Sequence, residues 1–108
     1  MPILYEQFGP SVVRLSLNRP ERNNAFSEKM LRLLIERLEA LRVDPDCRVL
    51  LVSGEGDHFC SGLDLHEATQ DESTAYRLTS QVVEVLLRLR QLPQIVIAAV
   101  HGAARGGG

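Results

Sequence analysis

Two glycine-bearing segments hold the most specific chemistry in this sequence: Phe59-Cys60-Ser61-Gly62-Leu63-Asp64-Leu65 and Gly102-Ala103-Ala104-Arg105-Gly106-Gly107-Gly108. Their side chains are mostly small or apolar, so what they can offer a ligand is the backbone N–H. Amide groups left free at a bend or a helix start stabilise negative charge on a ligand oxygen. Two such groups converging from separate loops make an oxyanion hole. Glycine suits these places because a ligand must approach the main chain closely and the bends favour positive φ. Taken singly, each segment reads as a plain turn, since glycine-rich strand ends are common.

The elements that must position these loops follow from hydrophobic periodicity. Val13, Leu15 and Leu17 alternate with Arg14 and Ser16, the period of a half-buried strand. Ile3 and Tyr5 mark an earlier strand, joined to it through a turn at Gly9-Pro10. A turn-rich loop runs from Asn18 to Asn24. Ser27 then caps a helix with Met30, Leu31, Leu34, Leu38 and Leu41 on one stripe, and Pro45 lies just past its end. Val49 to Val52 is a continuous apolar run, predicted to be a strand buried on both faces. A second helix is predicted over Thr74 to Arg90, with Leu78, Val82, Val85, Leu86 and Leu89 inward, and Pro93 closes it. Ile95 to Val100 reads as another buried strand. Strand, helix, strand at this spacing is a parallel crossover unit, expected to be right-handed. The fold class is α/β.

Composition narrows the function. The chain has 108 residues, 44% apolar and 24% charged, with 12 basic and 14 acidic residues giving a net charge of -2. That is the profile of one ordinary globular domain, with no basic footprint for nucleic acid and no polybasic membrane patch. The two cysteines, Cys47 and Cys60, have neither metal nor redox spacing, so a reduced, cytoplasmic protein is expected. The N-terminus lacks the pattern of a signal peptide, and no apolar run approaches the ~20 residues of a membrane span. A dinucleotide loop at Gly54-Glu55-Gly56 fails because Phe59 stands where a third small residue is needed. His58, His66, His101, Asp57 and Glu67 match no zinc spacing, so isolated surface histidines are expected and no metal. Asp64 is read as a helix-initiating residue and Glu67 as part of that helix's solvated face, not as a catalytic carboxylate pair.

Three stretches in register resemble one family. Asn18-Arg19-Pro20 followed by Asn24-Ala25 is similar to the N-R-P-x-x-x-N-A opening of the crotonase (enoyl-CoA hydratase/isomerase) family. Gly54-x-Gly56-x-x-Phe59-Cys60-Ser61-Gly62-Leu63-Asp64-Leu65 resembles its G-x-G-x-x-F-(S/C)-(A/S)-G-x-D-(L/I). Pro93, then Ile97 to Gly108, resembles its P-x-I-A-x-(V/I)-x-G-x-x-x-G-G-G. The resemblance implies a spiral of ββα turns, of which residues 1–108 would be the N-terminal portion, assembled as a homo-trimer or hexamer. It further implies an oxyanion hole formed by the backbone N–H groups of Leu63 and Gly107, holding the carbonyl of an acyl-CoA thioester as it becomes an enolate. Ser61 and Gly62 would line the thioester pocket, Asp64 and Leu65 would open the helix behind the first donor, Gly106 would join them among the substrate-binding residues, and Arg22, Asn23 and Ala25 would grip coenzyme A. Coenzyme A enters only as part of the substrate, and no separate cofactor is implied. Each donor of such a pair is typically worth ~3 kcal/mol of transition-state stabilisation.

The departures matter as much. Hydratases of the family carry one glutamate two positions after the triple glycine and a second further along, which handle the water and the α-proton. Neither falls within these 108 residues, and three closing glycines are a poor domain end, so a truncated chain is expected, inactive by itself. A non-catalytic thioester binder or assembly partner is the alternative. Arg105 replaces a usually neutral residue. The Ser61-to-Leu65 variant is similar to that of dienoyl-CoA isomerases, which keeps isomerisation open beside hydration. The uncovered final strand is expected to expose apolar surface and to drive association.

Overall fold

The alternation at Val13, Leu15 and Leu17 becomes a central strand. In the computed structural model, which describes residues 1–108, Ile3–Phe8 (β1) pairs antiparallel with Val12–Leu17 (β2). The turn between them passes through Gly9 at φ 69°. Glu28–Arg42 (α1) then leads to Val49–Gly54 (β3), and Leu65–Ala68 (α2) and Glu72–Gln91 (α3) lead to Ile95–Ala98 (β4). The sheet order is β1-β2-β3-β4, with β2–β3 and β3–β4 parallel. Each parallel pairing is reached through a helical crossover, as the spacing of periodic segments requires. The result is the mostly parallel sheet with crossover helices expected of the sequence.

Register places the core on one face. Val13 pairs with Leu50 and Leu50 with Val96, while Leu15 pairs with Val52 and Val52 with Ala98. Against these rows lie Met30, Leu31, Leu34 and Leu38 of α1 and Leu78, Val82 and Val85 of α3, all buried. Ser27 Oγ accepts from the Met30 N–H at 3.1 Å, closing the first turn of α1, a cap worth ~1 kcal/mol. Asp71 does the same for α3 through the Thr74 N–H at 2.6 Å.

Three expectations are corrected. β3 is not buried on both faces: Leu50 is, but Val49, Leu51 and Val52 are only half-buried. Its outer face adjoins a polar patch in which the Ser16 and Ser53 hydroxyls meet at 2.8 Å and Arg14 bonds Glu55 at 3.1 Å. β4 ends at Ala98 rather than Val100, and all four of its residues are exposed, Ile95 at 66%. It is the sheet's edge strand, and an apolar run cannot reveal which of its faces another layer will cover. Leu86, assigned to the buried stripe of α3, is 48% exposed because it sits at the rim where that helix meets the open side of the sheet. The loop before α1 also contains a 3-10 turn, Pro20–Arg22, started by the fixed φ of proline.

Candidate functional site

The site is built on a buried asparagine. Asn23 and Asn24 both adopt left-handed backbone, at φ 53° and 57°, which asparagine tolerates better than most residues. This bend lets Asn24 Oδ1 accept from the Arg19 N–H at 2.7 Å, while its Nδ2 donates to the carbonyls of Glu55 and His58, each at 2.8 Å. Asn24 is completely buried, so these bonds replace water that cannot reach the groups. They tie the first loop to the exit of β3.

The segment that follows β3 is pinned to the same loop. Ser61 N–H donates to the Asn23 carbonyl at 3.1 Å, Phe26 N–H to the Gly62 carbonyl at 2.8 Å, and Asp64 N–H to the Phe26 carbonyl at 3.0 Å. Leu63 is thereby bridged in parallel to Phe26. Because its two neighbours bond to Phe26, the N–H of Leu63 itself is directed away from that partner. It donates to no other group in the protein.

Asp64 closes the segment. Its Oδ1 accepts from the His66 N–H at 3.0 Å, capping α2, and its Oδ2 accepts from Arg19 Nη2 at 3.0 Å. The other arm of the guanidinium, Nη1, donates to the Ala25 carbonyl at 2.7 Å. Burial works against the charge on Asp64, but Arg19 and the amides of Glu67 and His66 outweigh it and hold its pKa below the ordinary carboxylate value.

The second glycine segment lies alongside the first. Phe59 and Cys60 donate N–H bonds to the carbonyls of His101 (2.8 Å) and Ala103 (3.1 Å), and Arg105 N–H returns one to Cys60 (3.0 Å). The chain then turns through Arg105 to Gly108, closed by the Gly108 N–H on the Arg105 carbonyl at 2.8 Å, with Gly106 at φ 56°. The N–H groups of the two central residues of this turn, Gly106 and Gly107, have no acceptor in the protein. Glycine is required here by crowding: a Cβ on Gly62, at φ 96°, would stand 3.0 Å from the Arg105 carbonyl oxygen, and one on Gly108 would stand 2.6 Å from Cys60 Cβ.

Nine of the residues picked out by sequence share one open groove: Arg22, Asn23, Ala25, Ser61, Gly62, Leu63, Asp64, Leu65 and Gly106. Gly107 lines a neighbouring apolar cavity of about 180 Å³ between the sheet, α1 and α3. The turn at Gly106-Gly107 thus stands between groove and cavity. Asp64 lines the groove, but its carboxylate is engaged by Arg19 and the α2 amides. Arg105 is exposed and pairs with no acid. Glu67, expected on a solvated face, is half-buried, and its Oε1 accepts from the Glu28 N–H at 3.1 Å, capping the start of α1. His58 is half-buried and takes the Ala103 N–H on Nδ1 at 2.9 Å, so it is not an isolated surface histidine either. Cys60 is fully buried, its Sγ donating to the Asn24 carbonyl at 3.2 Å, and burial pushes its thiol pKa up, which removes it as a nucleophile. Arg19 and Asn24 were visible as motif residues but not as the organisers of the site. Their signal was an Asn-Asn pair in a proline-containing loop, a place where asparagine often bonds backbone.

Comparison with known proteins bears on this arrangement. Residues 7–108 match the family model described as enoyl-CoA hydratase/isomerase. Over 97% of its length the chain is 35% identical to the enoyl-CoA hydratase EchA19 of Mycobacterium tuberculosis, of which it covers 41%. It is 34% identical over 90% of its length to the mitochondrial Delta(3,5)-Delta(2,4)-dienoyl-CoA isomerase of Rattus norvegicus, covering 33% of it. All of the chain superposes on 43% of the crystal structure of enoyl-CoA hydratase from Bacillus anthracis, with a TM-score of 0.95 at 34% identity. The chain therefore spans less than half the length of these relatives, and its four-stranded sheet with crossover helices is the corresponding part of their fold.

Proposed function

The chain belongs to the enoyl-CoA hydratase/isomerase family, and on that premise we propose that it forms the thioester-binding part of an acyl-CoA site. The N–H groups of Leu63 and Gly107 donate to the acyl carbonyl and stabilise the negative charge that develops there as an enolate forms. The groove edged by Arg22, Asn23, Ala25, Ser61 and Gly62 takes the coenzyme A portion of the substrate, largely through main-chain contacts. The acyl chain enters the apolar cavity beyond Gly107, whose lining includes Phe26, Val85 and Leu89. The observation that carries this reading is that the Leu63 and Gly107 amides, on two loops that hydrogen-bond to one another, are both without acceptors in the protein. Donors fixed in advance, needing no reorganisation as charge develops, are the form of stabilisation that removes most from a barrier.

Two nearby carboxylates are already committed, Asp64 to Arg19 and Glu67 to the start of α1, while Glu21 edges the groove. The backbone donors polarise a thioester, and neither Asp64 nor Glu67 is free to act as a general acid or base. The complete activity, hydration or isomerisation, and assembly into trimers are proposed for the whole protein on the same family premise. A conjugated dienoyl-CoA tests the reading, because its absorption moves to longer wavelength when the thioester carbonyl accepts hydrogen bonds. The protein is expected to bind it with a red shift that a thioether analogue, lacking the carbonyl, does not show. Binding without a shift, or no binding, overturns the proposal.

A further inference from the structure

We propose that Arg19 is a positioning residue for the Leu63 amide, an inference that rests on the oxyanion reading above. Its guanidinium reaches both sides of the bridge that orients this amide. Nη1 donates to the carbonyl of Ala25, next to Phe26, and Nη2 to the carboxylate of Asp64, next to Leu63. The direction of the Leu63 N–H depends on the Gly62 carbonyl and the Asp64 N–H both staying on Phe26. Gly62 holds left-handed backbone at φ 96°, and a glycine, lacking a Cβ, sets the least intrinsic restriction on its own φ and ψ. Arg19 supplies that restriction from outside the segment.

Two features make this more than ordinary packing. The Arg19 and Asp64 side chains are only 18% and 9% exposed, so removing one partner leaves the other's charge poorly solvated and drives rearrangement. Arg19 is also held at its own backbone, whose N–H donates to Asn24 Oδ1 at 2.7 Å. The fork is therefore delivered from a fixed base. Lysine carries one charge on one nitrogen and cannot span the two acceptors in the same planar geometry.

The test uses Arg19→Met, Arg19→Lys and Asp64→Asn, with Leu41→Ala as a control that loosens the core at a residue outside the groove. Each protein is titrated with the conjugated dienoyl-CoA, and affinity is read separately from the red shift of the bound ligand. Arg19→Met is expected to lose at least half of the shift while its affinity falls less than about threefold. Arg19→Lys is expected to lie between it and the unaltered protein, and Leu41→Ala to keep the full shift. If Arg19→Met does not fold, Asp64→Asn, which keeps an acceptor for Arg19 but discards the charge, is expected to weaken the shift in the same direction. A full shift in Arg19→Met, or in Asp64→Asn where only that variant folds, overturns the inference while leaving the oxyanion reading intact. Absence of a shift in the unaltered protein defeats that reading and this inference with it.

Discussion

Gly107 lies so close to Val82 of α3 that a Cβ built on the glycine would stand 2.5 Å from Val82 Cγ1. Helix and turn are therefore fitted to each other, and the Gly107 amide is held by a contact between segments distant in sequence. Gly107→Ala is expected to destabilise the protein by ~1–3 kcal/mol, the usual range for overpacking. In a Val82→Ala background the same change should cost less, because the space now exists. Urea denaturation of the four proteins of this cycle measures the coupling. Strict additivity would show that the turn yields without pressing on α3.

Asn24→Ala removes three hydrogen bonds at a fully buried position. The carbonyls of Glu55 and His58 lose their donor, and alanine must hold a left-handed backbone at φ 57°. We expect a loss of ~3 kcal/mol or more, each buried unsatisfied group costing ~1–3 kcal/mol. Asn24→Asp keeps the acceptor for the Arg19 N–H but sets an anion against two carbonyls, and should be no better. Equilibrium denaturation with tryptophan-free far-ultraviolet detection checks this; a loss below 1 kcal/mol would contradict it.

The pH dependence of stability has a definite sign at Asp64. Its folded pKa lies below the ordinary value of 3.8, with burial opposing and Arg19 together with the α2 amides prevailing. Such a carboxylate contributes stability that is complete above its unfolded pKa and is lost as pH falls through the folded one. The protein should therefore weaken as pH drops from about 4 downward. Asp64→Asn should flatten part of that slope, leaving the parts due to Asp71, whose pKa is lowered chiefly by the Thr74 amide, and to Glu39, lowered chiefly by Arg42. Melting temperatures between about pH 2.5 and 6 test the difference; identical slopes would show that the ion pair has no linkage to folding.

The outer face of β3 and β4 predicts self-association. Ile95 and Ile97 are 66% and 50% exposed, and they lie in register beside Val49 and Leu51. A contiguous apolar patch beside an open strand edge invites pairing with another chain. The 108-residue protein is expected to associate with rising concentration, and Ile95→Lys with Ile97→Lys to reduce this. Sedimentation velocity across a hundredfold concentration range decides it: a monomer throughout, before any substitution, would count against the prediction.

Much of this was already legible in the residues. The stripe from Met30 to Leu41, the alternation at Val13 to Leu17 and the caps at Ser27 and Asp64 are local patterns, and local patterns carry their own period and chemistry. The same holds for the two glycine segments, whose small residues made the backbone the only available reagent. The exposed apolar surface of the final strand was expected and is found, whereas the end of β4 at Ala98 was not legible, because an apolar run does not state how far its pairing with a neighbouring strand continues. Nor was the exposure of Leu86, which depends on where α3 runs out of sheet to cover.

The organisation of the site belongs to the tertiary structure alone. Arg19 and Asp64 are far apart in the chain, and nothing in their spacing says that one guanidinium will bond both the Asp64 carboxylate and the Ala25 carbonyl. Glu67 was read as solvated because helical position was the only guide, yet it caps a different helix. Sequence order determined which backbone groups were free to act. Which way they point was decided by contacts between distant segments, because the direction of an amide is set by whatever its neighbouring peptides are bonded to.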